Sequence, residues 1–171
     1  KHGLFTLPLA SSFITVFSLS AKQGEDLGPR VLVEARKYIP VPMSDVTFEW
    51  TELPALPGLP EDVHEMLAVA VQNEAQQQLA DLKTAVAMDE QPSEIELFSA
   101  LRGLRKKDDT SVVVIDLGAK ISKLYVSKEG MIRRIHRVFS GGAMATQKIA
   151  NELSVSYEEA ENMKRNYTDT D

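Results

Sequence analysis

Apolar and polar positions along the chain change period several times, and each change marks an element. From Ser12 to Leu19, Phe13, Thr15, Phe17 and Leu19 alternate with Ile14 and Val16, which predicts a strand with apolar side chains on both faces. Between Gly24 and Ile39, Leu27, Val31, Ala35 and Tyr38 recur at helical intervals, and Pro40 and Pro42 stop the helix. Pro29 suits its first turn, where a missing N–H is no loss. Val46, Phe48 and Trp50 alternate with Thr47, Glu49 and Thr51 as a half-buried strand, followed by a Pro/Gly-rich loop from Pro54 to Pro60. Met66 to Val71 reads as a further strand. Asn73 is expected to cap a helix to about Met88, with Ala75, Leu79, Leu82 and Val86 on one face. The expected product is a small α+β module, strand–helix–strand–strand–helix, with its helices on one face of an antiparallel sheet.

The second half has a different rhythm. Ile95 to Phe98 is a short strand or extended stretch running into a short helix that ends at Leu104, and Arg105 to Asp109 is a charged linker or hairpin tip. Val112, Val113, Val114 and Ile115 form a run of β-branched residues, the mark of a strand buried on both faces. That strand ends on Asp116-Leu117-Gly118-Ala119-Lys120. Ile121 to Ser127 and Met131 to Phe139 then flank Lys128-Glu129-Gly130, a turn with glycine where a positive φ is cheap. A helix from Ala143 to Leu153 follows. Ser156 and Glu159 form a capping box for the next helix, and a polar tail begins at Tyr167.

Composition narrows the functions available. At 171 residues the chain is one large domain or two small ones. A net charge of −6 argues against a nucleic-acid surface, and the short basic runs Arg102 to Lys107 and Arg133 to Arg137 read as a solvated loop and a solvated strand face. With no cysteine, disulfides, thiol catalysis and cysteine-type zinc sites are excluded. His2, His64 and His136 lack metal-ligand spacing. No apolar run approaches the ~20 residues of a membrane span. The chain starts on Lys1, without a secretory leader pattern, and is expected to be a fragment of something longer.

Candidate chemistry gathers in the second half. An acid at the end of a buried strand, Asp116, suits a metal-bound water or a base, and Gly118 and Ala119 let a phosphate approach their backbone N–H groups. A plain turn is the alternative. Gly141 and Gly142 precede a helix whose N-terminus attracts anions, or else make a tight strand-to-helix connection. Glu161 and Lys164 share a helix face and suit ribose hydroxyls, or else form a surface ion pair.

The order of these pieces resembles the PilM family of type IV pilus assembly, and more distantly the FtsA family of cell division. The matching segments are Val114-Ile115-Asp116-Leu117-Gly118-Ala119, Phe139-Ser140-Gly141-Gly142, Thr146-Gln147-Lys148-Ile149-Ala150 and Glu159-Ala160-Glu161-Asn162-Met163-Lys164. Upstream, Glu34-Ala35-Arg36-Lys37-Tyr38-Ile39-Pro40-Val41-Pro42 resembles a Glu-Ala-x-x-Tyr-Ile-Pro-x-Pro segment of the PilM inserted subdomain, which actin-fold enzymes at large do not carry.

The resemblance implies an α+β and α/β architecture: residues 1–90 as an inserted SHS2-type interaction subdomain, 91–109 as a connection from the first lobe, and 110–171 as the first half of the second lobe of an actin-like (ribonuclease H-like) ATPase fold. It implies ATP and Mg in the full-length family. Asp116 would lie near the metal, through water, and the terminal phosphate. Gly118, Ala119 and Ser122, where many relatives have Thr, would form a phosphate loop; Gly141 and Gly142 would line the cleft; Glu161 and Lys164 would approach the ribose. Lys120 stands where FtsA has Gly. The fold's first phosphate loop and its adenine-contacting glycine loop have no counterpart in this sequence, so this chain alone is expected to bind no nucleotide and to catalyse nothing. The implied role is a cytoplasmic scaffold at the inner face of the bacterial inner membrane. Its implied partner is the cytoplasmic N-terminal peptide of a PilN-like membrane protein, and self-association is a second option. An FtsA-like filament protein and an actin-fold ATPase or kinase are the competing functions.

Overall fold

The computed structural model describes residues 5–22, 24–87, 93–104, 106 and 110–167. Met88, the linker Arg105 to Asp109 apart from Lys106, and the tail past Tyr167 lie outside the described residues. Contacts divide the chain into two units, residues 1–112 with 126–134 and residues 113–125 with 135–171.

In the first unit the elements are β1 (Thr6–Leu7), β2 (Ser12–Ser20), α1 (Gly28–Ala35), β3 (Val46–Glu52), β4 (Val63–Gln72), α2 (Asn73–Ala85), β5 (Glu94–Ile95) and α3 (Glu96–Leu104). From β2 to α2 this is the strand–helix–strand–strand–helix order that the hydrophobic periods dictate. The three longer strands pair antiparallel in the order β2-β4-β3, with Phe17 opposite Met66 and Phe48 opposite Ala70. Strand alternation splits their side chains between two faces. On one face Phe17, Leu19, Val46, Met66, Ala68 and Ala70 pack against Val31 and Ala35 of α1, both fully buried one helical turn apart. Tyr38 continues that packing by stacking on Phe17, with ring centroids 5.9 Å apart.

Two expectations for this module fail. The helices do not share one face: Gln76 of α2 lines a groove with Leu67, Val69 and Val71, which project from the face opposite α1. Nor does Asn73 cap its helix. Its amide donates to Ser44 O at 3.0 Å and accepts from Thr47 Oγ1 at 3.0 Å, so a side chain that could have served the helix end ties the start of α2 to β3 and the turn before it instead. Beyond the sheet, β1 pairs in parallel with β5, and Glu96 of α3 accepts from the Leu9 N–H at 3.0 Å.

The remaining strands are β6 (Ser111–Leu117), β7 (Ser122–Lys128) and β8 (Met131–Val138), a three-stranded sheet in that order. Their residues 126–134 count with the first unit and 113–125 with the second. The β7–β8 turn has Glu129 at φ 54° and Gly130 at φ 83°, the paired positive values of a tight hairpin. Glycine meets this at no steric cost, and the Glu129 N–H bonds Thr110 O at 2.7 Å, which offsets the cost there.

The expectation of a strand buried on both faces is wrong for β6. Val114 is buried, but Val113, Ile115 and Leu117 are 61%, 64% and 78% exposed. Among the described residues β6 is an edge strand, and no layer covers the face that carries those three. The basic run Arg133 to Arg137 is also misread as a solvated face, because Arg133 is buried. In the second unit α4 (Gly142–Leu153) packs on α5 (Tyr157–Asn166) through Thr146, Ala150 and Ala160. Ser156 caps α5 as expected, its hydroxyl accepting from the Glu159 N–H at 3.1 Å.

Candidate functional site

All eight residues singled out from the sequence lie in the second unit: Asp116, Gly118, Ala119, Ser122, Gly141 and Gly142 at strand ends and the start of α4, where open α/β folds hold ligands, and Glu161 and Lys164 along α5. Gly118 and Ala119 follow β6, and Gly141 immediately precedes α4. The two segments cross at backbone contact distance: Gly142 N–H donates to Gly118 O at 3.0 Å and Ala143 N–H to Ala119 O at 2.8 Å. A Cβ on Gly141 would lie 2.3 Å from Gly118 O, so a residue without a side chain is obligatory at this crossing.

Those bonds change what the helix end offers. The next N–H groups, of Met144 and Ala145, donate to Gly141 O at 3.0 and 3.3 Å. The first turn of α4 is therefore satisfied within the protein, and an anion would have to compete for it.

Glu161 and Lys164 join this crossing to α5. The Lys164 ammonium donates to Gly142 O (3.1 Å), Thr146 Oγ1 (2.8 Å) and Glu161 Oε2 (2.6 Å), which uses all three of its protons. Glu161 also accepts from the Thr146 hydroxyl and from Arg165 Nε at 2.9 Å. Lys164 above all, then Thr146 and Arg165, hold its carboxyl at about 2. A carboxylate has about four acceptor positions, so one remains for a hydroxyl donor such as a ribose.

Asp116 and Ser122 flank the crossing on the strands. The Asp116 carboxylate, 43% exposed, pairs with Lys123 at 2.9 Å. Ser122 Oγ donates to Ser140 O at 2.7 Å and so ties the start of β7 to the segment leading into α4. These residues fit one wall of a nucleotide cleft: an accessible acid, two close backbone turns and a tethered acid–ammonium pair.

Thr146, Arg165 and Lys123 were missed by sequence reasoning. Thr146 was legible, being one turn after Gly142 and on the Ala150 face. Counting back across the four-residue connection 118–121 also sets Lys123 opposite Asp116.

A second feature had no signal in the linear pattern. The face of the first unit's sheet opposite α1 forms the floor of a groove of about 390 Å³. Leu67, Val69 and Val71 supply the floor, Leu7, Ile95 and Phe98 one side, and Thr47, Glu49 and Thr51 of β3 the other. Glu94 at its margin is held at about 2 by Arg102 and then Ser99.

A family model described as type IV pilus assembly protein PilM matches residues 6–169. The chain belongs to the PilM family. The solved structure titled "PilM-PilN type IV pilus biogenesis complex" superposes with a TM-score of 0.69 at 20% identity, over 92% of this chain and 48% of that one. This PilM-family chain thus spans about half the length of that relative, and at such identity the likeness shows the fold. The architecture is accordingly a mixed α and β one, the strand–helix–strand–strand–helix module followed by the β6–β8 sheet and the α4–α5 pair. Ethanolamine utilization protein EutJ from Carboxydothermus hydrogenoformans (TM-score 0.39, 24% identity, 44% of this chain and 27% of that one) is too remote to argue from. So is the cytoplasmic domain of EpsL of the Vibrio cholerae type II secretion system (TM-score 0.44, 14% identity, 88% and 55%).

Proposed function

We propose that this chain is the docking part of a cytoplasmic, nucleotide-binding scaffold for type IV pilus assembly, and that its groove takes the cytoplasmic N-terminal peptide of a PilN-like inner-membrane protein. Residues 1–90 act as the inserted interaction subdomain, 91–109 as the connection and 110–171 as half of the second lobe. The groove itself carries the reading. It joins an apolar floor to a polar rim of Thr47, Glu49 and Thr51, the combination that buries a short amphipathic segment. The family match and the complex formed by the similar protein support the choice of partner.

A fluorophore-labelled form of that peptide should gain anisotropy along a saturating curve as the chain is titrated in, and a Val69→Glu variant, which puts a charge on the groove floor, should abolish the rise. An unchanged anisotropy at saturating chain would sink the proposal.

For the nucleotide, Asp116 would hold a Mg-bound water, Gly118, Ala119, Ser122, Gly141 and Gly142 would face phosphates, and Glu161 and Lys164 the ribose. ATP with Mg would supply the bound anion that organises the cleft in the whole protein. Groups from one wall alone cannot preorganise a phosphate. Calorimetry should therefore detect negligible ATP affinity for these residues, and micromolar binding would overturn the one-wall reading.

A further inference from the structure

One buried charge cluster serves neither the groove lining nor the candidate cleft. Glu65 of β4 accepts from Arg133 Nη1 at 3.0 Å and from Arg134 Nη1 at 3.2 Å. Arg133 Nη2 donates to Pro54 O at 2.7 Å, in the loop after β3. The side chains of Glu65 and Arg133 are each only 5% exposed. Arg133 Nε is buried with no hydrogen-bond partner, as is Ser127 Oγ on the same hairpin.

Such a cluster is a poor source of stability. Desolvating two charges cancels most of their attraction, and an unpaired buried N–H adds a further cost. What a forked guanidinium between a carboxylate and a carbonyl does supply is geometry, because both bonds form in one position only. That position matters here. Glu65, Leu67, Val69 and Val71 alternate along β4 and point to one side, so Glu65 continues the row that makes the groove floor. Leu53 N–H bonds Glu65 O at 2.8 Å, so the same residue also fixes where the chain leaves β3, just past Thr51 of the rim.

We infer that Glu65 is a positioning residue for the groove: its carboxylate, gripped by Arg133 and Arg134, sets the β7–β8 hairpin against the end of the floor and holds floor and rim in binding register. This rests on the docking reading above, and it goes beyond it in assigning groove affinity to residues that do not line the groove.

The test pairs peptide titration with hydrogen exchange on the whole chain. In a Glu65→Leu/Arg133→Met double variant, an apolar replacement of similar volume, thermal stability should stay near wild type. Peptide affinity should nevertheless fall about tenfold, the middle of the range for residues that act on a site without touching its ligand. Amides 128–134 should lose protection. Glu65→Gln keeps the shape, and should give a smaller loss of affinity in the same direction should the double variant fold poorly. Wild-type affinity in the variants overturns the inference. Should wild type itself bind no peptide, the docking reading falls and takes the inference with it, whereas wild-type binding with unchanged affinity in the variants overturns the inference alone.

Discussion

Replacing Gly141 by alanine should be the most damaging one-carbon change in the second unit. The added Cβ would lie 2.3 Å from Gly118 O and 2.7 Å from both Ala119 C and Ala119 O, all of them backbone atoms. Ordinary contact begins near 3.4 Å, so the two segments must part by about 1 Å, since no side chain can rotate away. Parting them breaks the Gly142 and Ala143 bonds to Gly118 and Ala119. Each such bond contributes about 1 kcal/mol, and the residual overpacking adds about 1 kcal/mol or more, for a total near 3 kcal/mol. Backbone conformation adds nothing, because Gly141 is extended at φ −162°.

Gly142→Ala is the internal control. Its Cβ would meet the mobile end of Lys164 at 3.4 Å, and alanine in place of glycine favours a helix by up to about 1 kcal/mol. Urea unfolding followed by circular dichroism, with exchange over residues 139–153, separates the two. Equal effects of the two substitutions, within about 0.5 kcal/mol, would refute the claim that the crossing is set by backbone contact.

Other expectations follow from the same geometry. Met66→Ala removes a fully buried side chain between α1 and the sheet, and should cost roughly 2–5 kcal/mol, read from urea curves monitored at Trp50. Glu161 titrates at about 2 in the folded chain against an ordinary 4.5, so its stabilising effect is complete above about 4.5 and is lost as pH falls from there towards 2. Lys164→Gln removes the largest cause of that shift, and carbon-detected NMR titration should find the carboxyl moved back up; an unmoved value would show that Thr146 and Arg165 suffice.

How much was legible depends on whether a feature is local. The module from β2 to α2 was readable because each element shows its period within its own residues: alternation in Phe13 to Leu19, helical spacing from Leu27 to Ala35. The Glu129-Gly130 turn and the Ser156 cap were readable for the same reason. Exposure was not. Val113 and Ile115 look the same as Val114 in a one-dimensional pattern, and what leaves them uncovered is that no layer among the described residues packs on their face of β6. Asn73 has the chemistry of a cap, yet Ser44 and Thr47 lie close enough to claim its amide.

The sequence by itself determined the order of elements, the glycines at the α4 entry and the family, since these depend on neighbouring residues and on motif spacing. Tertiary structure alone decided that Lys164 spends its protons on Gly142, Thr146 and Glu161, that Arg133 is buried against Glu65, and that Leu67, Val69 and Val71 form the floor of a groove. Each of these depends on which distant backbone approaches within about 3 Å. Hydrogen bonds and burial act only at that range, and residue spacing along a chain does not encode it.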